Sequence, residues 1–236
     1  MKISNLSILF LVNFIFISGV SFSQKNIQNY YDEFIQGENL PMSNGKLFIN
    51  TYKTTNTNAF YQDLYSKGSI LYKSESYNDI SLKYDIYKDI LIFRPYGESE
   101  KFGIELIVEN VNSFTLKDKK FVNLSKQTNY KHSFIKGYYE ENLKTDQLSF
   151  YIKHKKVNSA FINNKQVFSN FETQNEYLLL SNSNFHQIRD VKDVKKLFPT
   201  LDNEINQFEI ENQLILRANK DDFFEKLVKK ISTLIQ

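Results

Sequence analysis

Three histidines, His132, His154 and His186, are the residues of this chain best suited to proton transfer or metal binding. They fall in three different segments, none has a second histidine at a metal-ligand spacing, and no H-E-x-x-H occurs. A zinc site would need all three to converge, as in a β-barrel mouth. Lone surface or turn histidines are the simpler reading. The acids Glu140-Glu141 and Asp221-Asp222 are adjacent pairs, and two carboxylates that meet in space can carry acid/base hydrolysis. Neighbours on a strand point to opposite faces, however, and the second pair opens a helix, where negative charge is stabilising. Both pairs therefore read as structural.

Other constellations are missing. No G-x-S-x-G elbow presents a serine, and the seven glycines form neither G-x-G-x-x-G nor a Walker loop to cradle phosphates. With no cysteine there is no thiolate nucleophile, cysteine zinc site or disulfide. The sequence nominates no catalytic, cofactor-binding or metal residue, and no cofactor. Its aromatic content of 15% could line a sugar platform or peptide groove, but tryptophan is absent and phenylalanine-rich β-proteins spend such rings in the core. Thirty basic residues against 27 acidic ones give +3, too balanced to attract nucleic acid or anionic lipid.

The first residues form an address. Lys2 supplies a positive start, the run from Leu6 to Ile17 is apolar except for Ser7 and Asn13, and Ser21-Phe22-Ser23 offers small residues where signal peptidase reads. Cleavage is expected between Ser23 and Gln24. No cysteine follows for lipid attachment, and the apolar run is shorter than the about 20 residues a spanning helix needs. The mature chain is expected to have no transmembrane segment.

Beyond residues 1–23, the chain divides into a leader over 24–62, a β body over 63–188 and a helical segment over 189–236. In the leader, Ile27, Tyr30, Tyr31, Phe34 and Ile35 fall at helical spacing before Gly37, which predicts a short helix. From Lys46 to Ile188 short runs rich in Ile, Tyr and Phe recur. They cover 46–49, 69–72, 80–84, 90–93, 104–108, 113–116, 133–135, 148–152 and 177–180. Polar clusters at 87–89, 117–120 and 182–184 read as turns, so the body is an antiparallel meander or a partly closed barrel. After Ile188 the period becomes helical. Asp190 can cap a helix stopped by Pro199, and Thr200 can cap a second carrying Leu201, Ile205 and Phe208. Asn219 with Asp222 resembles a capping box opening a third helix, with Phe223, Phe224, Leu227, Val228, Ile231, Leu234 and Ile235 on one stripe. Such a stripe must dock, and packing on the chain's own sheet is the direct reading. The expected class is mainly β (α+β), with two to three C-terminal helices.

A resemblance runs through most of the mature chain. Its residues are Asn44-Gly45-Lys46, Gly68 to Lys73, and Tyr77 to Asp89, which reads I-S-L-K-Y-D at its centre. Further matches are Phe114, Phe121, Gly137-Tyr138-Tyr139-Glu140, Glu176-Tyr177-Leu178, Asp193, Leu197-Phe198, Ile205, Leu214 and Phe223. The pattern resembles exported, uncharacterised proteins of Bacteroidota. The chain departs from it in lacking a proline near Ala59-Phe60-Tyr61. The resemblance implies a periplasmic or extracellular address in a Gram-negative bacterium and a β body with C-terminal helices; it transfers no catalytic residue. The function expected is a non-catalytic envelope module that binds an envelope or outer-membrane protein partner. The alternatives are a small periplasmic hydrolase and a lipocalin-like carrier of an apolar ligand.

Overall fold

The computed structural model describes residues 40–126 and 134–235. The expected signal peptide with Ser21, Ser23 and Gln24, the helix expected over 26–36, and His132 lie outside the described residues.

The strands are β1 (Lys46–Leu47), β2 (Ser66–Tyr72), β3 (Glu75–Asp85), β4 (Ile90–Arg94), β5 (Ile104–Glu105), β6 (Val111–Leu116), β7 (Lys119–Asn123), β8 (Tyr138–Lys144), β9 (Leu148–Lys153), β10 (Lys156–Asn163), β11 (Gln166–Thr173), β12 (Glu176–Ser181) and β13 (Asn184–Ile188). Eleven of them form one antiparallel sheet in the order β1-β5-β4-β3-β2-β6-β7-β8-β9-β12-β13, while β10 and β11 form a separate ribbon. One limb meanders outward from β2 to β5 and β1. The other starts beside β2 at β6 and meanders to β13.

Local chemistry makes the hairpins. Lys73-Ser74, Lys117-Asp118, Asn164-Lys165 and Asn182-Ser183 all have positive φ at both residues, the backbone of a two-residue turn whose twist suits antiparallel strands. At the β3–β4 corner the buried Asp85 carboxylate accepts the N–H groups of Tyr87 and Lys88 at 3.0 and 2.9 Å. Burial raises its pKa against those bonds.

Aromatic side chains curl the sheet. Strands β3 and β8 stand four places apart, about 19 Å in a flat sheet, yet the Tyr84 and Tyr138 rings approach to 5.8 Å. Phe114 and Phe121 stack between them at 4.8 Å. The limbs are stitched where Lys153 pairs with Asp89 at 2.5 Å and where the Lys156 N–H donates to the Ile86 carbonyl. The sheet is strongly curled but does not close into a barrel, and among the described residues β1 and β13 are its edges.

Four helices follow: α1 (Val191–Leu197), α2 (Asp202–Glu211), α3 (Gln213–Ala218) and α4 (Lys220–Leu234). Asp190 caps α1 and Asn219 caps α4 through the N–H of Asp222 at 3.2 Å. Helix α4 packs on the sheet, burying Phe223, Phe224, Leu227, Val228 and Ile231, with the Phe224 ring 4.8 Å from Tyr177. No helix among the described residues is long and apolar enough to cross a membrane.

Several expectations are corrected. Phe134 and Ile135 are not in a strand; Ile135 is apolar because it is a loop anchor packed with Leu124 and Tyr139. The run 104–108 is a strand only at Ile104–Glu105, because the chain turns through a 3₁₀ segment at Val108–Asn110 to reach β6. Thr200 caps nothing, since Pro199–Leu201 forms a 3₁₀ turn ahead of α2. Leu234 is 46% exposed, and Ser232 is buried on α4 instead.

Candidate functional site

Two places combine unusual chemistry with position: a cleft at the β1 edge and a polar network under α4. The cleft begins with the short strand β1, which pairs only with β5 through Lys46↔Glu105 and Leu47↔Ile104. The Phe48 N–H continues the pairing, donating to the Gly103 carbonyl at 2.8 Å. Because successive residues of a strand turn their backbone groups to opposite edges, those of Leu47, between Lys46 and Phe48, point outward, and Ile49 follows directly after. The Leu47 and Ile49 side chains are 52% and 62% exposed, although Phe48 between them is buried.

Behind this edge lies a cleft of about 580 Å³. Phe48 meets Phe60 edge to face at 6.1 Å, and Tyr65 and Phe102 continue the apolar wall. The Lys83 ammonium rests 4.1 Å from the Phe60 ring centre and donates to the Asp63 carbonyl, and burial lowers its pKa. Tyr65 donates to the Phe102 carbonyl at 3.1 Å, with its hydroxyl pushed up to about 12 by burial. Two lysines, Lys83 and Lys101, line the cleft against one carboxylate, Glu100, which is taken by Arg94. A mostly apolar cleft with a few convergent polar groups and a perturbed lysine is the form binding sites take.

No protein-family model, curated protein or solved structure matches this chain. The second place must likewise be judged by its own geometry. Glu140 on β8 is 2% exposed and accepts from His154 Nε2 at 2.6 Å, Lys119 Nζ at 2.9 Å and Asn142 Nδ2 at 3.1 Å. Asn142 also reaches Glu225 of α4 at 3.0 Å. On the other side of the imidazole, Asn175 Nδ2 donates to Asp221 of α4 at 2.7 Å and faces His154 Nδ1 at 3.5 Å. Tyr177 donates to the same Asp221 carboxylate at 2.7 Å, and the Tyr61 ring lies 4.9 Å from that of His154.

An amide donor facing Nδ1 assigns the imidazole proton to Nε2, where it points at Glu140. Burial alone would raise the Glu140 pKa, but the hydrogen bonds from His154, Lys119 and Asn142 outweigh it and hold the carboxyl at about 2. An acid so low is an anion throughout the physiological range and cannot serve as a general acid. Both imidazole nitrogens are engaged, and burial keeps the Tyr61 phenol protonated by raising its pKa. The network is suited to clamping α4 onto β8, β9 and β12.

The histidines and acids considered from sequence thus divide. Glu140, His154 and Asp221 come together; His186 stands apart on β13, opposite Leu179. Glu141 pairs with Lys120 at 2.8 Å and Asp222 with Lys226 at 2.8 Å. Among the described residues no group of three or more His, Asp or Glu side chains is arranged to hold a metal ion. The cleft residues Lys83, Tyr65 and Phe60 were not singled out from sequence. The available signal was Leu47-Phe48-Ile49, apolar on both faces of a strand with charged and polar neighbours.

Proposed function

We propose that the protein is an exported, non-catalytic module of the cell envelope that binds a protein partner through the cleft at the β1 edge. The observation that carries this reading is the juxtaposition of exposed Leu47 and Ile49, an edge strand that pairs on one side only among the described residues, and an apolar cleft of about 580 Å³. The envelope address rests on the apolar run Leu6 to Ile17 and the Ser21, Ser23, Gln24 cleavage pattern. A hydrolase is the second reading, favoured by the convergence of Glu140 and Asp221 on His154; it is weakened by the engagement of every proton-transfer position. A lipocalin-like carrier needs an enclosed lumen, and this sheet is open.

The test is capture of tagged protein from its native envelope in mild detergent, with Ile49→Asp and Ile210→Asp in parallel. Ile210 is 78% exposed on α2, so its change controls for a new surface charge. One stoichiometric partner retained by wild type and Ile210→Asp but lost by Ile49→Asp is the expected result. Equal recovery by all three removes the cleft from the reading.

A further inference from the structure

We infer that the occupant of the cleft is an extended peptide segment of the partner, which adds to β1 as a new edge strand and alternates apolar with acidic side chains. This inference rests on the cleft being the partner site. Two rows of side chains across the sheet specify the pattern. On one face Leu82, Phe93 and Ile104 are successive cross-strand neighbours, all buried, and the row ends at Leu47, which is half exposed. The row is a core layer that stops one strand short of cover, so the next position calls for an apolar side chain.

The opposite face reads Lys83, Ile92, Glu105, Lys46 in the same register. Lys46 ends this row exposed, and Lys83 and Lys101 line the cleft. None of the three lysines makes an ion pair among the described residues, whereas Glu100 is held by Arg94. An acidic side chain on the added strand would fall beside Lys46. A partner strand can also satisfy the outward N–H and C=O groups of Leu47, which an apolar chain molecule would leave to water. That need for backbone pairing is what favours a peptide over an anionic amphiphile.

The test measures anisotropy of a fluorescein-labelled hexapeptide, VEFEVE, titrated with the purified protein, against the same composition in blocks, VVFEEE. Two further versions of VEFEVE carry N-methyl groups on alternate amides, one for each edge of the strand. Since only one edge can face β1, one methylated peptide should lose about tenfold or more in affinity while the other keeps it. The block peptide and the Ile49→Asp protein should each bind at least about tenfold more weakly than VEFEVE with wild type. Equal affinities of the two methylated peptides, including no loss in either, would overturn the strand addition. Binding of sodium laurate in the cleft without binding of VEFEVE would overturn the peptide and identify an amphiphile site. If an envelope partner is captured through Ile49 and VEFEVE does not bind, this inference fails and the binding-module reading stands. If VEFEVE binds with the expected edge dependence and no partner is recovered, the strand site stands and the envelope partner falls.

Discussion

Glu140→Gln removes one charge from the buried network and leaves its shape. The carboxylate offers two acceptor oxygens to three donors, His154, Lys119 and Asn142, whereas a glutamine amide offers one. The carboxyl is held at about 2 against an ordinary 4.5. At about 1.4 kcal/mol per pKa unit, that depression is worth about 3 kcal/mol at neutral pH. Because the folded pKa lies below the unfolded one, this stabilisation is fully present above about pH 4.5 and is lost as pH falls toward 2. The half-exposed Lys119 can be solvated when its partner is neutralised, which keeps the loss at the lower end of the roughly 3–5 kcal/mol seen for broken buried pairs. Urea unfolding of wild type and Glu140→Gln at pH 7, 5 and 3 measures it. Their difference should be about 3 kcal/mol at pH 7 and 5 and shrink clearly by pH 3. A difference under about 0.5 kcal/mol at pH 7, or one independent of pH, would refute the claim that these bonds hold the charge.

Other perturbations have equally definite outcomes. Leu227→Asp places an unpaired carboxylate in the α4–sheet contact, where Leu227 is 1% exposed, and should yield protein without a cooperative thermal transition by circular dichroism. Gly137→Ala would set a Cβ 1.7 Å from Asp89 Oδ2 at a φ of +71°, displacing the Asp89–Lys153 stitch. It should cost about 2 kcal/mol and lower Tm by roughly 5 °C in a calorimetric scan. Asn219→Ala removes the α4 cap and should cost about 1 kcal/mol in urea unfolding, with the m-value unchanged. Lys165→Gly relieves a left-handed residue at the β10–β11 turn and should slow amide exchange in that ribbon about fivefold.

The β body, its turns and the docked α4 were legible because each rests on local signals. Asp190 and Asn219 occupy their caps, Pro199 stops α1, and the Lys117-Asp118 and Asn182-Ser183 turns stand where polar clusters predicted them. Strands β7, β8, β10, β11 and β13 were not among the expected runs: Lys119 and Lys120, expected in the turn, open β7, and β8, β10 and β11 were hidden by their polarity. The middle of β8 is polar because Glu140, Glu141 and Asn142 have partners inside the fold, and β10 and β11 are exposed on most positions and need no apolar alternation. Helix α3 was missed because Gln213–Ala218 buries no residue and so carries no strong stripe. The network was visible only as disconnected residues, since Lys119, Glu140, His154 and Asp221 meet through pairing of β7, β8, β9 and β12. The cleft is likewise a property of an edge, and which strand becomes an edge depends on the whole strand order.

That strand order also sets a problem in time. As the chain emerges, β2 can pair at once with β3, its neighbour in sequence, but its other flank waits for β6, where Ile70 meets Phe114 and Leu71 meets Ser113. Until then the first limb carries a second open border, and Ile70 and Tyr72, which end fully covered, remain uncovered. The β3–β4, β6–β7 and β12–β13 pairings join neighbours in sequence, whereas the β2–β6 joint, like β1–β5 and β9–β12, must close a long loop and carries its entropy. Folding speed and wrong association in the nascent chain therefore both depend on this seam, and a chain cut after β5 should aggregate where one carried through β13 has both flanks of β2 sealed.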